Sequence, residues 1–408
     1  MGQFARLLPD HGWDVTVLTA RHGNSVALDR DAASAIAQRA RIVEAWSPAT
    51  KLVKRGQPVP KTGFAGLARR VARTAAVSVV FPDREVFWVP SAIESGRRVM
   101  REMSHDVVLA THGPASNLLV GRALAKAFRV PLVLDFRDLW STLPMPVFPT
   151  RWHRAAARRL EHAIVRKASR LLAVAPAMAH DLASEHGFAY EHALSITNGF
   201  DPNDAARVHD ERPSGRRPFR IVYTGTVHVH YNLDPLWQAL RALADRGAIT
   251  PDTIRLEFVG NLSAGDVKRH GLDAFIEISP FVPHEQVFNV LARADALLVV
   301  ETAGYYARYG YAAKVFDYVL TGKPVIGLVE RGGNTDTLLR AAGVGLCVEP
   351  DDGAGLERVL LEVTQAHPAP KKVDPDREPL REFNRRHLVA KLANVLDEVA
   401  TTEPKGRW

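Results

Sequence analysis

In the stretch YAAKVFDYVLTGKPVIGL, Lys314 and Asp317 stand three residues apart, which puts an ammonium and a carboxylate on one helix face near its N-terminal end. An exposed pair of this kind would mean little energetically. Turned toward a ligand, the lysine could hold a phosphate and the aspartate a ribose diol, the usual acidic solution in nucleotide sites. A second stretch, VYTGTVHVHYN, runs a strand into Gly225 and Thr226, with a helix expected to begin near Asn232. Glycine lets main chain approach a ligand closely, and a helix N-terminus offers free N–H groups and the positive end of a dipole, so the combination suits a diphosphate. The same turn occurs in every α/β fold and is weak evidence alone. His228 and His230 could add cationic or hydrogen-bonding contacts; as a metal pair they lack a third ligand nearby, and no metal site is expected.

A third constellation closes VPLVLDFRDLWS. Val130, Leu132, Val133 and Leu134 form a short apolar run, followed by Asp135, Phe136, Arg137, Asp138, Leu139 and Trp140. A parallel strand buried on both faces reads as such a run, and ligands sit beyond the carboxyl ends of these strands. In ATHGPASNLL a strand ends at Thr111, and His112, Gly113 and Pro114 make a tight loop before a helix capped by Ser116 or Asn117. A lone loop histidine is usually incidental. His112 falls at a strand end beside the Asp135–Trp140 loop, which raises it above that.

Strands and helices alternate along the whole chain, which implies parallel sheets covered on both faces. Residues 1–203 read as one Rossmann-like domain, and the charge, Pro and Gly of 204–219 as a linker. Residues 220–370 read as a second Rossmann-like domain, and 371–408 as an irregular linker and a terminal helix. The expected class is therefore α/β, with two doubly wound domains facing across a cleft. At the N-terminus, a short helix, a Gly turn and the strand WDVTVLTA make the second half of a βαβ unit. The first strand, due before Gln3, is missing, and a start codon placed too late is the preferred explanation.

Composition narrows the function classes. With 408 residues, 46% hydrophobic and 24% charged, the profile is that of a soluble globular chain of two or more domains. The single cysteine, Cys347, excludes an intrachain disulfide and CxxC chemistry and fits a reducing, cytoplasmic setting. No apolar run reaches the roughly 18–20 residues of a membrane helix, and the N-terminus is no signal peptide. The net charge of +8 favours anionic partners. It lacks aromatic interleaving, so nucleic acid is not expected. The basic, amphipathic region near residues 64–80 leaves two readings open: a solvated helix, or an interfacial helix that meets an anionic membrane surface and makes the protein peripheral at its inner face. TGKP and GVGLCV fail the spacing of phosphate-binding loops. Asp374 and Asp376 mimic a DxD metal motif but lie in a Pro/Lys-rich stretch.

Taken in order, LPDHGWDVTVLT, DVVLATHGPAS, VPLVLDFRDLW, SITNGFD, IVYTGTV and AAKVFDYVLTGKPVI resemble retaining, nucleotide-sugar-dependent glycosyltransferases of the GT-B fold, family-four group. The resemblance covers nearly the whole chain. It implies an N-terminal acceptor domain for a glycan or lipid-linked glycan, a C-terminal nucleotide-sugar domain, and a last helix that crosses back to the first domain. It implies no cofactor beyond the nucleotide-sugar co-substrate. In many relatives an E-x7-E pair serves the donor; here Asp317 stands at the second glutamate and Tyr309 at the first, with Glu301 a distant candidate for the unfilled role. Where many relatives place Arg and Lys after the GT turn, this chain has His228, His230 and Asn232, so phosphate neutralisation would lean on Lys314, helped by Arg308. On this reading His112 steadies the sugar or the acceptor, Asp138 and Arg137 orient acceptor hydroxyls or phosphate, and Trp140 is a wall for a sugar. The alternatives are a GT-B sugar-nucleotide epimerase, or a degenerate homologue that serves as a binding partner.

Overall fold

The computed structural model describes residues 2–21, 30–47, 80–143, 148–212, 217–228 and 230–402. Apart from Val80, the basic stretch expected to be helical near 64–80 lies outside them. The chain divides into two compact units, Met1–Ile196 with Val389–Trp408, and Thr197–Leu388. Among the described residues no helix is long and apolar enough to cross a membrane.

In the first unit, β1 (Thr16–Ala20) pairs in parallel with β2 (Arg41–Ala45). A separate four-stranded parallel sheet runs β3 (Val108–His112), β4 (Leu132–Phe136), β5 (Arg170–Ala173) and β6 (Ala193–Ser195) in spatial order. A doubly wound order would place one more strand between β1 and β3, and no described residue supplies it. β4 is buried at all five positions, as its apolar run requires. The crossovers are helices: Ser116–Phe128 leads from β3 to β4, and Arg151–Val165 from β4 to β5. Thr150 caps the second of these by accepting from His153 N.

The second unit holds a six-stranded parallel sheet. Its strands are β7 (Phe219–Gly225), β8 (Ile254–Gly260), β9 (Ile276–Ser279), β10 (Ala296–Val300), β11 (Val325–Leu328) and β12 (Gly345–Val348), in the order β12-β11-β10-β7-β8-β9. β10 shows why its sequence, ALLVV, is apolar throughout. Leu298 and Val300 enter one core with Tyr223, Phe258 and Trp237, while Leu297 and Val299 enter another with Phe288, Phe316 and Val319. Alternate side chains thus serve opposite faces. The charged stretch at 204–219 packs on this unit: Arg217 clamps buried Asp295 with bonds of 2.6 and 2.7 Å, and Arg220 N donates to the same carboxylate at 2.8 Å.

One buried cation secures the second face. Lys323, 1% exposed, donates from Nζ to the carbonyls of Leu291, Ala292 and Ala294 at 2.8, 2.6 and 2.7 Å. They lie at and just past the C-terminal end of the helix His284–Ala292, where Leu291 O also accepts from Ala294 N and Ala292 O from Glu211 N. Burial lowers the lysine to about 8, against the pull of Asp210. Lys323→Met removes three buried hydrogen bonds, two of them to carbonyls that keep a backbone donor, and a loss of about 2 kcal/mol is expected, read as a thermal midpoint a few degrees lower. An unchanged midpoint would show that the carbonyls find other partners.

Candidate functional site

In the six-stranded sheet the strand order reverses between β7 and β10, and a switch point of this kind is where ligands bind, beyond the strand carboxyl ends. β7 ends at Gly225, whose φ of 98° only glycine takes readily. The turn is held from both sides. Tyr223 donates its hydroxyl to Thr226 O at 2.7 Å, while the Asn261 amide accepts from Val227 N at 2.6 Å and donates to Val227 O at 3.2 Å. Gly260, opposite Gly225 in register, has no room for a side chain: a Cβ there would lie 2.0 Å from the Gly225 carbonyl oxygen. Gly260→Ala must therefore displace the turn itself. Any diphosphate held by the turn's backbone donors is expected to bind on the order of tenfold more weakly once the turn is misplaced, with titration of a nucleoside diphosphate as the check. Unaltered affinity would separate the turn from diphosphate binding.

Lys314 arrives at this turn from the helix Ala313–Thr321. Its Nζ lies 3.4 Å above the centre of the Tyr223 ring and would be 3.7 Å from a Cβ at Gly225. The ammonium is buried and, among the described residues, has no hydrogen-bond partner. Desolvation lowers it to about 7, and nearby Glu301 pulls it back up. Glu301, just beyond β10, is 5% exposed. Its Oε1 accepts from Thr335 Oγ1 at 2.8 Å, its Oε2 is buried without a partner among the described residues, and desolvation raises it to about 7. A buried cation on an aromatic face and an underfilled carboxylate thus converge on one backbone turn. His228 belongs with them: burial first, then His230 and Lys314, lower its pKa. Its ring stacks on His230 at 5.3 Å, and His230 stacks on Tyr306 at 4.8 Å.

Two further expected donor residues have protein partners of their own. Asp317 sets Oδ2 3.3 Å from His284 Nε2, and this carboxylate raises the imidazole's pKa. Lys314 and Asp317, although three apart, therefore meet different partners. Arg308, on the same short helix as Tyr306, lays its guanidinium 5.3 Å over the Tyr309 ring. Glu301, considered from sequence only as a distant candidate, is the carboxylate that shares the surroundings of Lys314.

In the first unit, β3 and β4 end level, with His112 opposite Phe136. His112, 9% exposed, is layered between Phe136 at 5.5 Å and Trp140 at 6.0 Å. Its Nδ1 is buried without a partner among the described residues. Desolvation lowers its pKa, opposed by Glu161 and by a hydrogen bond to the Asp138 backbone. Asp138 is exposed at the loop tip, yet surrounding protein still raises its carboxyl by desolvation. The other two loop residues turn inward. Arg137 pairs with buried Asp135 through Nε–Oδ2 and Nη2–Oδ1 distances of 2.8 Å and donates to Ile196 O at 3.2 Å. Trp140 is buried as the far wall of the His112 stack. Sequence reading missed Glu161, wholly buried, which accepts from Ser141 N at 3.0 Å and so ties down the loop after Trp140. A lone acid on the buried face of an otherwise basic helix was the available signal.

By sequence, the family model described as Glycosyltransferase Family 4 matches residues 1–204, half of the chain. No curated protein matches it. By fold, it is similar to sucrose-phosphate synthase from Thermosynechococcus elongatus, with a TM-score of 0.65 at 13% identity over 98% of this chain and 92% of that one. A glycosyltransferase from Rickettsia africae ESF-5 gives 0.60 at 10% identity, over 98% and 94%. An α,α-trehalose 6-phosphate synthase from Burkholderia multivorans gives 0.58 at 11% identity, over 95% and 99%. At such identities the likeness is one of fold.

Proposed function

Because this chain belongs to Glycosyltransferase Family 4 and is a glycosyltransferase of the GT-B fold, we propose that it transfers a sugar from a nucleotide-sugar donor to an acceptor hydroxyl, with retention and without a metal ion. The observation that carries the donor assignment is the buried Lys314 ammonium beside the Gly225 turn, without a hydrogen-bond partner among the described residues. A cation desolvated without a hydrogen-bond acceptor is costly, and the arrival of a phosphate oxygen supplies the missing partner. The leaving group is a nucleoside diphosphate, so stabilising its developing charge is the main catalytic task. Lys314, His228 and the N–H groups after Gly225 perform it. Asp317, held by His284 through Oδ2, accepts from the ribose with Oδ1, and Glu301 takes a polar group of the donor.

In the transfer, the bond from the sugar's anomeric carbon to the diphosphate oxygen breaks as the acceptor oxygen bonds to that carbon on the same face. The acceptor proton passes to the departing phosphate oxygen, which gives retention without a protein nucleophile. His112 and Asp138 steady the acceptor, and Arg137 and Trp140 hold the loop that carries Asp138. The acceptor is a glycan or a lipid-linked glycan, and with the lipid-linked form the reaction runs at the cytoplasmic face of a membrane.

The experiment is release of nucleoside diphosphate from a panel of nucleotide sugars, with and without a mixture of glycan and lipid-linked acceptors, and anomeric analysis of the product by NMR. Acceptor-dependent release with retained configuration is expected. An inverted product would refute the mechanism, and turnover without acceptor that yields an altered nucleotide sugar would identify an epimerase.

A further inference from the structure

The helix Arg151–Val165 and the two residues after it carry six exposed cations: Arg151, Arg154, Arg158, Arg159, Arg166 and Lys167. At 3.6 residues per turn, five of the six share one face, while Ala157, Glu161, Ile164 and Val165 form the opposite, buried face. Glu161 is the single acid in this segment and is 0% exposed. Arg158 pairs with Glu185 of the neighbouring helix, and Arg154 reaches back to Leu143 O at 3.2 Å and over Phe148 at 5.8 Å. Trp152, beside this cationic face, is 73% exposed.

Single exposed apolar side chains are common on solvated faces; this indole stands among six exposed cations. Tryptophan gains most where one side is apolar and the other wet, and arginine stems can lie along an apolar boundary while their charges stay among headgroups. Grooves for single-stranded nucleic acid set several aromatics among their cations for successive bases to stack on, whereas this helix face carries a single exposed indole among its cations, at the place where a bilayer takes both together. We propose that this face of the Arg151–Val165 helix docks the protein on an anionic lipid bilayer, with Trp152 entering the interface and the arginines pairing with lipid phosphates. The proposal is independent of the donor assignment.

Cosedimentation with unilamellar vesicles tests it. The full chain is expected to bind phosphatidylcholine vesicles containing phosphatidylglycerol, to ignore phosphatidylcholine alone, and to release as salt is raised. Replacing three exposed arginines together (R151Q, R159Q and R166Q) is expected to weaken binding on the order of a hundredfold at an unchanged melting temperature. Trp152→Ala, read separately in case the triple variant is unstable, is expected to weaken binding several-fold and abolish the vesicle-induced blue shift of fluorescence. Binding that persists undiminished in both variants, equal binding to neutral vesicles, no binding, or tighter binding to a DNA duplex would overturn the proposal.

Discussion

Lys314→Met is expected to lower kcat/KM for the nucleotide-sugar donor on the order of a thousandfold while leaving thermal stability unchanged or slightly higher. The two readouts move apart because the same ammonium serves different ends. In the free protein it is desolvated over Tyr223 with no hydrogen-bond partner among the described residues, so methionine, similar in length and apolar, removes a cost from the folded state. In the transition state the ammonium faces the charge growing on the leaving diphosphate, and loss of one such stabilising group typically costs 10²- to 10³-fold. The titration of the lysine gives the effect a pH signature. Its pKa in the free protein is lowered to about 7, so the charged form is depleted as pH rises through that value, and diphosphate affinity should fall with it. Glu301, raised to about 7, ionises over the same range and adds a negative charge beside the phosphate. Both changes have the same sign. A variant that loses stability and activity in parallel would mark Lys314 as structural.

The second large effect is expected at His112. His112→Phe keeps a ring between Phe136 and Trp140 and deletes both nitrogens. Transfer should fall on the order of a hundredfold, the scale of removing one positioned proton-handling or hydrogen-bonding group, with donor binding and melting temperature little changed. Burial holds the imidazole below its ordinary pKa, so the neutral ring persists to more acid pH than a surface histidine allows. Asp138→Asn approaches the same site from the exposed loop tip and should depress transfer with folding intact. Full activity in both variants would remove the acceptor assignment.

Much of the fold was legible because strands buried on both faces must be written as apolar runs. ALLVV at 296–300 and VPLVLDF at 130–136 are legible for that reason, and each strand follows its run. Short helices such as Tyr305–Tyr309 were not, since one buried alanine, Ala307, sets no period. In the sites, the backbone could be read and the side-chain directions only partly. Gly225 closes its strand as read, while His112, read into the loop after Thr111, is the last residue of β3. That Asp317 meets His284 depends on a residue distant in sequence on another helix, and no local pattern records that. The internal pair of Arg137 with Asp135 was not read: Arg137 stands one residue past the end of β4, where the alternation of the strand no longer fixes a side chain's direction. Tyr223 and Gly225, both within β7, share a face by that alternation, which is how Lys314 comes to lie on one and beside the other.

The central claim, that the Gly225 turn and Lys314 form a nucleoside-diphosphate site, is most directly tested by isothermal titration of a panel of nucleoside diphosphates into the parent protein and Lys314→Met. At least one is predicted to bind the parent, with affinity falling as pH rises through about 7, and to bind the variant on the order of a hundredfold more weakly. Equal binding to both proteins, or no binding to the parent, would contradict it.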